Sequence, residues 1–336
     1  MGLEMRSRDR KALVMQYATV IFIILVLNFF LPRMMPGDPF LILSADTENE
    51  VISVLTEEQR AYFKSYYGLD RPVHRQFISY LASLARGDLG NSIYYKVPVS
   101  EAIWMRLPWT GLIVVGASII STLIGIFLGL FSARNRDKAR DKFMLLSLIS
   151  FAEIPSFLLG IIILLAFAVR LKIFPLAGAV TPFADYSGTL DAAWDIAYHA
   201  ALPIITLSLT QLTGTFLLVR NTLVTVMTKD YIRTAKAKGI GDRLVWTRHA
   251  LRNALLPVVT RVGFMVGMLM GGSVLVENVF SYPGVGSLLR EAVVARDYPL
   301  IQGIMLIMAL SILTVNYLVE IVYERLDPRV ASYEAT

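Results

Sequence analysis

No cysteine occurs among the 336 residues, so the chain can form no disulfide, thiolate metal site, iron–sulfur cluster or Cys nucleophile. Its three histidines, His74, His199 and His249, are too dispersed to make a spaced ligand set, and structural or solvated roles suit them. There is no Gly-Lys dipeptide, hence no G-x-x-x-x-G-K-[ST] loop to wrap phosphates and no built-in ATPase of that kind. H-E-x-x-H, a serine elbow and paired membrane aspartates are missing too, which argues against an intramembrane protease. Charge is scarce: 17% of residues are charged, against about 25% in soluble domains, while 55% are apolar. The apolar residues gather into long runs without charge, which marks an integral membrane protein. The net charge of +6 then reads as a topology signal punctuating those runs, not as a nucleic-acid surface. No internal repeat or low-complexity segment is present.

Crossing a hydrocarbon core of roughly 30 Å takes about 20 helical residues. Six stretches qualify, near residues 12–31, 108–132, 143–169, 200–219, 262–276 and 298–319, and they predict an all-α polytopic membrane protein. The fifth is short and must extend past a flank. The first follows Arg6, Arg8, Arg10 and Lys11 but ends at Leu31-Pro32-Arg33 without a small-x-small cleavage site, so it reads as an uncleaved signal anchor.

Lys and Arg set the orientation. The tail 1–11 holds four, residues 133–142 five, residues 220–261 nine and residues 320–336 two; the other three connections, though longer in total, hold eight, two and two. The denser set belongs in the cytoplasm, which puts both termini, 1–11 and 320–336, inside and the 32–107 connection outside. Thr56-Glu57-Glu58-Gln59 reads as a capping box, Gly68 suits a helix end, and Arg71-Pro72 opens a second helix with an apolar stripe of Val73, Phe77, Tyr80, Leu81 and Leu84. A third helix starting near Ser100 would run into the second span. A small helical cap on the outer face is expected, either as a partner surface or as a packing lid.

The inner segment 220–261 is the most informative. Asp230 to Lys238 reads as a short basic helix with small Ala235 and Ala237; Gly239 and Gly241 break it, and Leu244 to Leu256 reads as a second helix. Such a protruding pair could seat its backbone in a groove on another protein, or lie as an amphipathic helix on anionic lipid.

This segment resembles the cytoplasmic EAA-type signature of binding-protein-dependent ABC importer permeases. Gly239 stands at the family Gly, Ala235 at the second Ala and Leu251 at the hydrophobic element. Arg233 and Thr234 occupy the Glu and first Ala positions, Arg252 the usual Pro position, and Asn253 follows. The departures are similar to the B-type permeases of the oligopeptide, dipeptide and nickel subfamily. Met35-Pro-Gly-Asp-Pro39, Tyr67-Gly-Leu-Asp-Arg-Pro72, Arg86-Gly-Asp-Leu-Gly90 and Arg106-Leu-Pro108 follow that subfamily in order. Glu277-Asn-Val-Phe-Ser-Tyr-Pro-Gly-Val-Gly286, Arg296-Asp-Tyr-Pro299 and Leu326-Asp-Pro-Arg329 complete the set. The resemblance implies a type I ABC importer permease in the cytoplasmic (inner) membrane, paired with a second homologous permease as a heterodimer. It further implies two ATPase subunits that hold ATP and magnesium, this chain binding no cofactor or metal itself, and an extracytoplasmic substrate-binding protein. Tyr231, Arg233, Thr234, Ala235, Lys236, Ala237, Gly239 and Gly241 would form the coupling helix seated in an ATPase groove. Where the family Glu pairs with a basic ATPase residue, Arg233 must meet an acidic one or forgo the contact.

Two further clusters stand out. Glu277, Pro283, Gly284 and Asp297 bound a Gly/Pro-rich outer segment that is either part of an outer gate or a simple turn. Glu153 is the one charged residue within the expected spans, about 16 Å beyond Lys142 at 1.5 Å per residue. It should face protein or the translocation path, either steadying the helix beside Pro155 through a hydrogen bond or touching substrate. The expected function is import of di- or oligopeptides by alternating access, with nickel chelates or oligosaccharides as alternative cargo. An ion-coupled secondary transporter would favour more intramembrane ionisable residues, and a membrane enzyme would need motifs that are missing.

Overall fold

The computed structural model describes residues 2–35 and 56–326, so the Met35–Pro39 and Leu326–Arg329 motifs fall largely outside the described residues. The described chain is almost entirely helical. In order, the helices are α1 (Gly2–Arg33), α2 (Glu57–Tyr66), α3 (Val73–Ala85), α4 (Val99–Arg134), α5 (Ala139–Ala152), α6 (Ser156–Ile163) with a π-helical continuation Leu164–Arg170, and α7 (Thr189–Val226). Then come α8 (Asp230–Ala237), α9 (Asp242–Leu244) continuing through π-helical Val245–Ala250 into α10 (Leu251–Ala254), α11 (Leu256–Val279), α12 (Val285–Ala295) and α13 (Tyr298–Leu326). Among the described residues, five helices are long and apolar enough to cross a membrane, or up to six if one bent pair counts as a span.

That bent pair corrects the straight third span expected over 143–169. α5 and the helix from Ser156 to Arg170 meet at 100°, broken at Glu153-Ile154-Pro155. Pro155 has no N–H, its ring clashes with the preceding turn, and it drives Ile154 out of helical conformation. The short fifth run is extended at both flanks, since α11 starts with Pro257 in its first turn and runs through Val279. Arg261 and Glu277 therefore lie inside a long apolar helix, and Glu153 loses its standing as the only charge there.

The described residues divide into two compact units, those up to Pro108 with Ser287–Leu310, and Trp109–Gly286 with those from Ser311 on. In the first, α3 packs on α1 through Phe77 and Tyr80, whose rings lie 5.1 and 5.6 Å from that of Phe29. The Asn28 amide donates to the Gln302 carbonyl at 2.7 Å and to the Tyr80 hydroxyl at 3.1 Å. The capping box forms as read, with Thr56 Oγ1 accepting from Gln59 N–H and Gln59 Oε1 from Thr56 N–H. Of the apolar stripe, Phe77, Tyr80, Leu81 and Leu84 are partly buried and Val73 is exposed.

In the second unit, α7 is the hub against which α5, α6 and α11 pack. α4 approaches α7 through glycines: a Cβ at Gly125 or Gly129 would fall 2.8 Å from the Thr215 or Val219 side chain. Small residues suit close helix contact in lipid, where packing replaces the hydrophobic drive between helices. One core joins Ile113, Val114, Leu159, Leu207, Met265, Leu269 and Tyr282; another joins Ala133, Val219, Leu223, Ile232, Val245, Ala250 and Val258. Large side chains such as Leu123, Phe127, Phe143 and Leu146 remain exposed, as a lipid-facing surface requires.

Candidate functional site

α8 stands where the basic helix was expected. Its amphipathic spacing turns Ile232 and Ala235 inward, where they join Ala133 at the end of α4, Val219, Leu223 and Val226 of α7, and Val245 and Ala250 of the following helix. Tyr231, Arg233, Thr234, Lys236 and Ala237 face outward. One expectation is thereby corrected: Ala235 does not present a small surface to a partner, because it is 5% exposed and packs within this chain. The helix stops in a Schellman arrangement. Gly239 has φ +75°, its N–H donates to Lys236 O at 3.0 Å, and Ile240 N–H donates to Ala235 O at 3.2 Å. Gly241 has no positive φ and precedes α9 as its N-cap. The amide of Asn253 donates to the Tyr231 hydroxyl at 3.1 Å, tying the two arms of the hairpin. Arg233 lies 3.5 Å from Asp230 one turn back, a pair exposed on both sides and worth little by itself.

Sequence reading missed the brace beside this hairpin. Arg220 of α7 grips Asp141 of α5 bidentately, Nη2 to Oδ2 at 2.6 Å and Nε to Oδ1 at 2.8 Å, and Ser132 of α4 donates to the same carboxylate. The side chains of Arg220 and Asp141 are 15% and 2% exposed. A pair 79 residues apart leaves no local spacing to find; the signal was only that both lie near helix ends.

Pro283 and Gly284 lie in the turn joining α11 to α12, and Glu277 lies in the last turn of α11. Glu277 is fully buried; Oε1 accepts from Thr110 and Ser273 hydroxyls, each at 2.9 Å, and Oε2 from the Gly286 N–H at 2.7 Å. Thr110 Oγ1 accepts in turn from Val285 N–H at 2.8 Å. A Cβ on Gly284 would lie 2.3 Å from Glu277 Oε2, so glycine is required by space. Burial and the nearby Glu277 push the Tyr282 hydroxyl well above the usual phenol range. Asp297, in the other unit, is also fully buried and caps α13: Oδ1 accepts from Leu300 N–H at 3.1 Å, and Oδ2 from Ser92 Oγ at 2.5 Å and Tyr94 N–H at 3.0 Å. That links the segment between α3 and α4 to the last helix.

Glu153 opens onto a cavity of about 350 Å³ at the break between α5 and α6. The walls are Ala152 to Ser156, then Leu207, Thr210 and Gln211 of α7, and Met268, Leu269 and Gly272 of α11. Among the described residues no three His, Asp or Glu side chains come together as a metal site. His199 is buried, with Nδ1 2.9 Å from the Asp195 carbonyl.

Residues 125–332 match the model of the binding-protein-dependent transport system inner membrane component. The chain is 34% identical over 308 residues to the oligopeptide transport system permease protein AppB of Bacillus subtilis, covering 91% of this chain and 94% of that protein. It is 33% identical over 311 residues to the glutathione transport system permease protein GsiC of Escherichia coli, covering 92% and 94%. Such permeases are transport subunits, not enzymes, and work with ATPase and substrate-binding subunits. The chain therefore belongs to the binding-protein-dependent transport family, as an integral inner-membrane permease of an ABC importer.

Proposed function

We propose that this permease moves di- or oligopeptides into the cytoplasm, as one half of a heterodimer with a second homologous permease. The substrate assignment is supported by the relatives named for peptide and oligopeptide transport at about 35% identity over most of the chain. Two ATPase subunits hold ATP and magnesium. Their closure is received by the exposed face of α8, through Tyr231, Arg233, Thr234, Lys236 and Ala237, with Gly239 and Gly241 shaping the turn. The observation that carries this reading is the burial of Ile232 and Ala235 among the inner ends of α4 and α7, because a push on α8 must then move those helices. Arg233 takes an acidic ATPase residue in place of the family's inverse pairing. Both termini are cytoplasmic, and the substrate-binding protein docks on the outer face carrying α2 and α3. The knots around Glu277 and Asp297, with the Pro283-Gly284 turn, hold the outer ends of α11 and α13 and shape the outer gate.

Purified alone, the chain should not hydrolyse ATP, whereas the co-purified assembly should hydrolyse it and import peptides into proteoliposomes. ATP hydrolysis by the isolated chain, or import that persists without the ATPases, overturns the reading.

A further inference from the structure

The Glu153 cavity holds polar groups that the fold itself leaves unused. Among the described residues, the exposed Glu153 carboxyl and the half-buried Gln211 amide and Ser156 hydroxyl line it and make no hydrogen bond or ion pair. The helix-steadying bond expected of Glu153 is therefore not made. Thr210, the fourth polar lining residue, is already committed, its hydroxyl donating to Leu207 O at 2.8 Å. The rest of the wall is apolar, including Met268, which is adaptable in shape, and Gly272, where an added Cβ would meet nothing within 4 Å. Glu153 is exposed at the break and so stays open to an incoming group, and an ionisable residue within membrane-spanning segments marks the path of a substrate or ion. The volume falls in the range of small-ligand sites, roughly 300–1,000 Å³. The break is built by Pro155, and Glu153 stands at it as the exposed C-cap residue of α5.

We infer that this cavity is a cargo site in which Glu153 receives the free α-ammonium of a passing peptide, while Gln211 and Ser156 meet its backbone amides. The inference rests on the peptide-import reading above. Three features match an unblocked peptide: one anionic group for the single charge common to every such N-terminus, neutral donors and acceptors for the peptide groups, and apolar walls that accept varied side chains. A carboxyl and an ammonium form a charge-assisted hydrogen bond, which strengthens as water is excluded.

The complete importer, reconstituted with its ATPases and binding protein, would be given a tripeptide mixture and the same mixture N-acetylated, with uptake of each read by mass spectrometry. Wild type should favour unblocked peptides. Glu153→Gln should lower their uptake about tenfold, equivalent to roughly 1.4 kcal/mol, and leave acetylated uptake unchanged, so that the ratio of the two collapses. Glu153→Asp should keep the preference. A ratio unchanged by Glu153→Gln overturns the inference, because any preference then resides elsewhere, as does an equal loss for both mixtures. Uptake of neither mixture by wild type overturns the peptide-import reading itself. Should Glu153→Gln fail to assemble, labelling of Gly272→Cys decides, because the chain has no other cysteine. Unblocked tripeptides should protect that thiol better than acetylated ones, and equal labelling with both overturns the inference.

Discussion

Gly239 and Glu277 show two different ways in which one residue constrains this permease. At Gly239 the constraint is backbone: φ is +75°, yet an added Cβ would meet nothing within 4 Å. An L-residue there costs about 1–2 kcal/mol through conformation alone, least for Asn. Gly239→Val is expected to abolish stimulation of ATPase activity by the loaded binding protein, while Gly239→Asn retains most of it. Equal effects of the two would show that the turn's φ is not what matters. At Glu277 the constraint is saturation. Removing its carboxyl strands the Thr110 and Ser273 hydroxyls and the Gly286 N–H in a dry interior, a loss of about 1–3 kcal/mol for each buried group left unpaired. Glu277→Ala should lower the Tm of the detergent-solubilised importer by several degrees. Gly284→Ala should do the same by collision, and the double variant should lose less than the sum because the shortened side chain vacates the space. Strict additivity would separate the two residues.

Helices α4, α5, α7 and α8 meet at one set of ends. The α8 hairpin rests on the termini of α4 and α7, and the Arg220–Asp141 clasp, with Ser132, ties α4, α5 and α7 at the same level. Removing one partner of a buried, bidentate pair leaves the other charged and dry, at a cost of about 3–5 kcal/mol. Asp141→Ala or Arg220→Ala should each lower the Tm and weaken coupling of hydrolysis to transport, and the double variant should be milder than either sum predicts. A single cysteine at Lys236 or Ala237 should crosslink to an ATPase subunit, whereas one at Ala235 should not, since that side chain points into the bundle. Labelling of Lys236 and Ala237 by lipid-phase probes alone would return the segment to the membrane surface.

For the molecule as a whole, orientation is the governing property. Because the connections denser in Lys and Arg belong inside by the positive-inside rule, a cysteine placed at exposed Asn91 should react with an impermeant thiol reagent added outside, and one at exposed Lys138 should not. The reverse pattern would invert the topology, and with it the side on which α8 works.

Local chemistry is what the amino-acid order determined. Apolar runs bounded by charge located the spans, Thr56 to Gln59 marked a capped helix, and a glycine after a short basic helix marked the α8 turn. Each of these depends on neighbours within a few residues, so the chain order contains the interaction. Packing decided the rest. Pro155 was legible as a helix disruptor, but the 100° angle of the bend, and the cavity that α7 and α11 line at the break, appeared only in the fold. Ala235 and Ala237 look alike in sequence, and only the contact with the ends of α4 and α7 sets one inside and the other out. Glu277 was read as an outer flank because charge usually ends a span; three donors, one of them 167 residues away, let it lie inside a buried helix end. Arg220 and Asp141 had no local spacing to mark them as a pair, since a pairing across 79 residues is a product of the helices' arrangement in space.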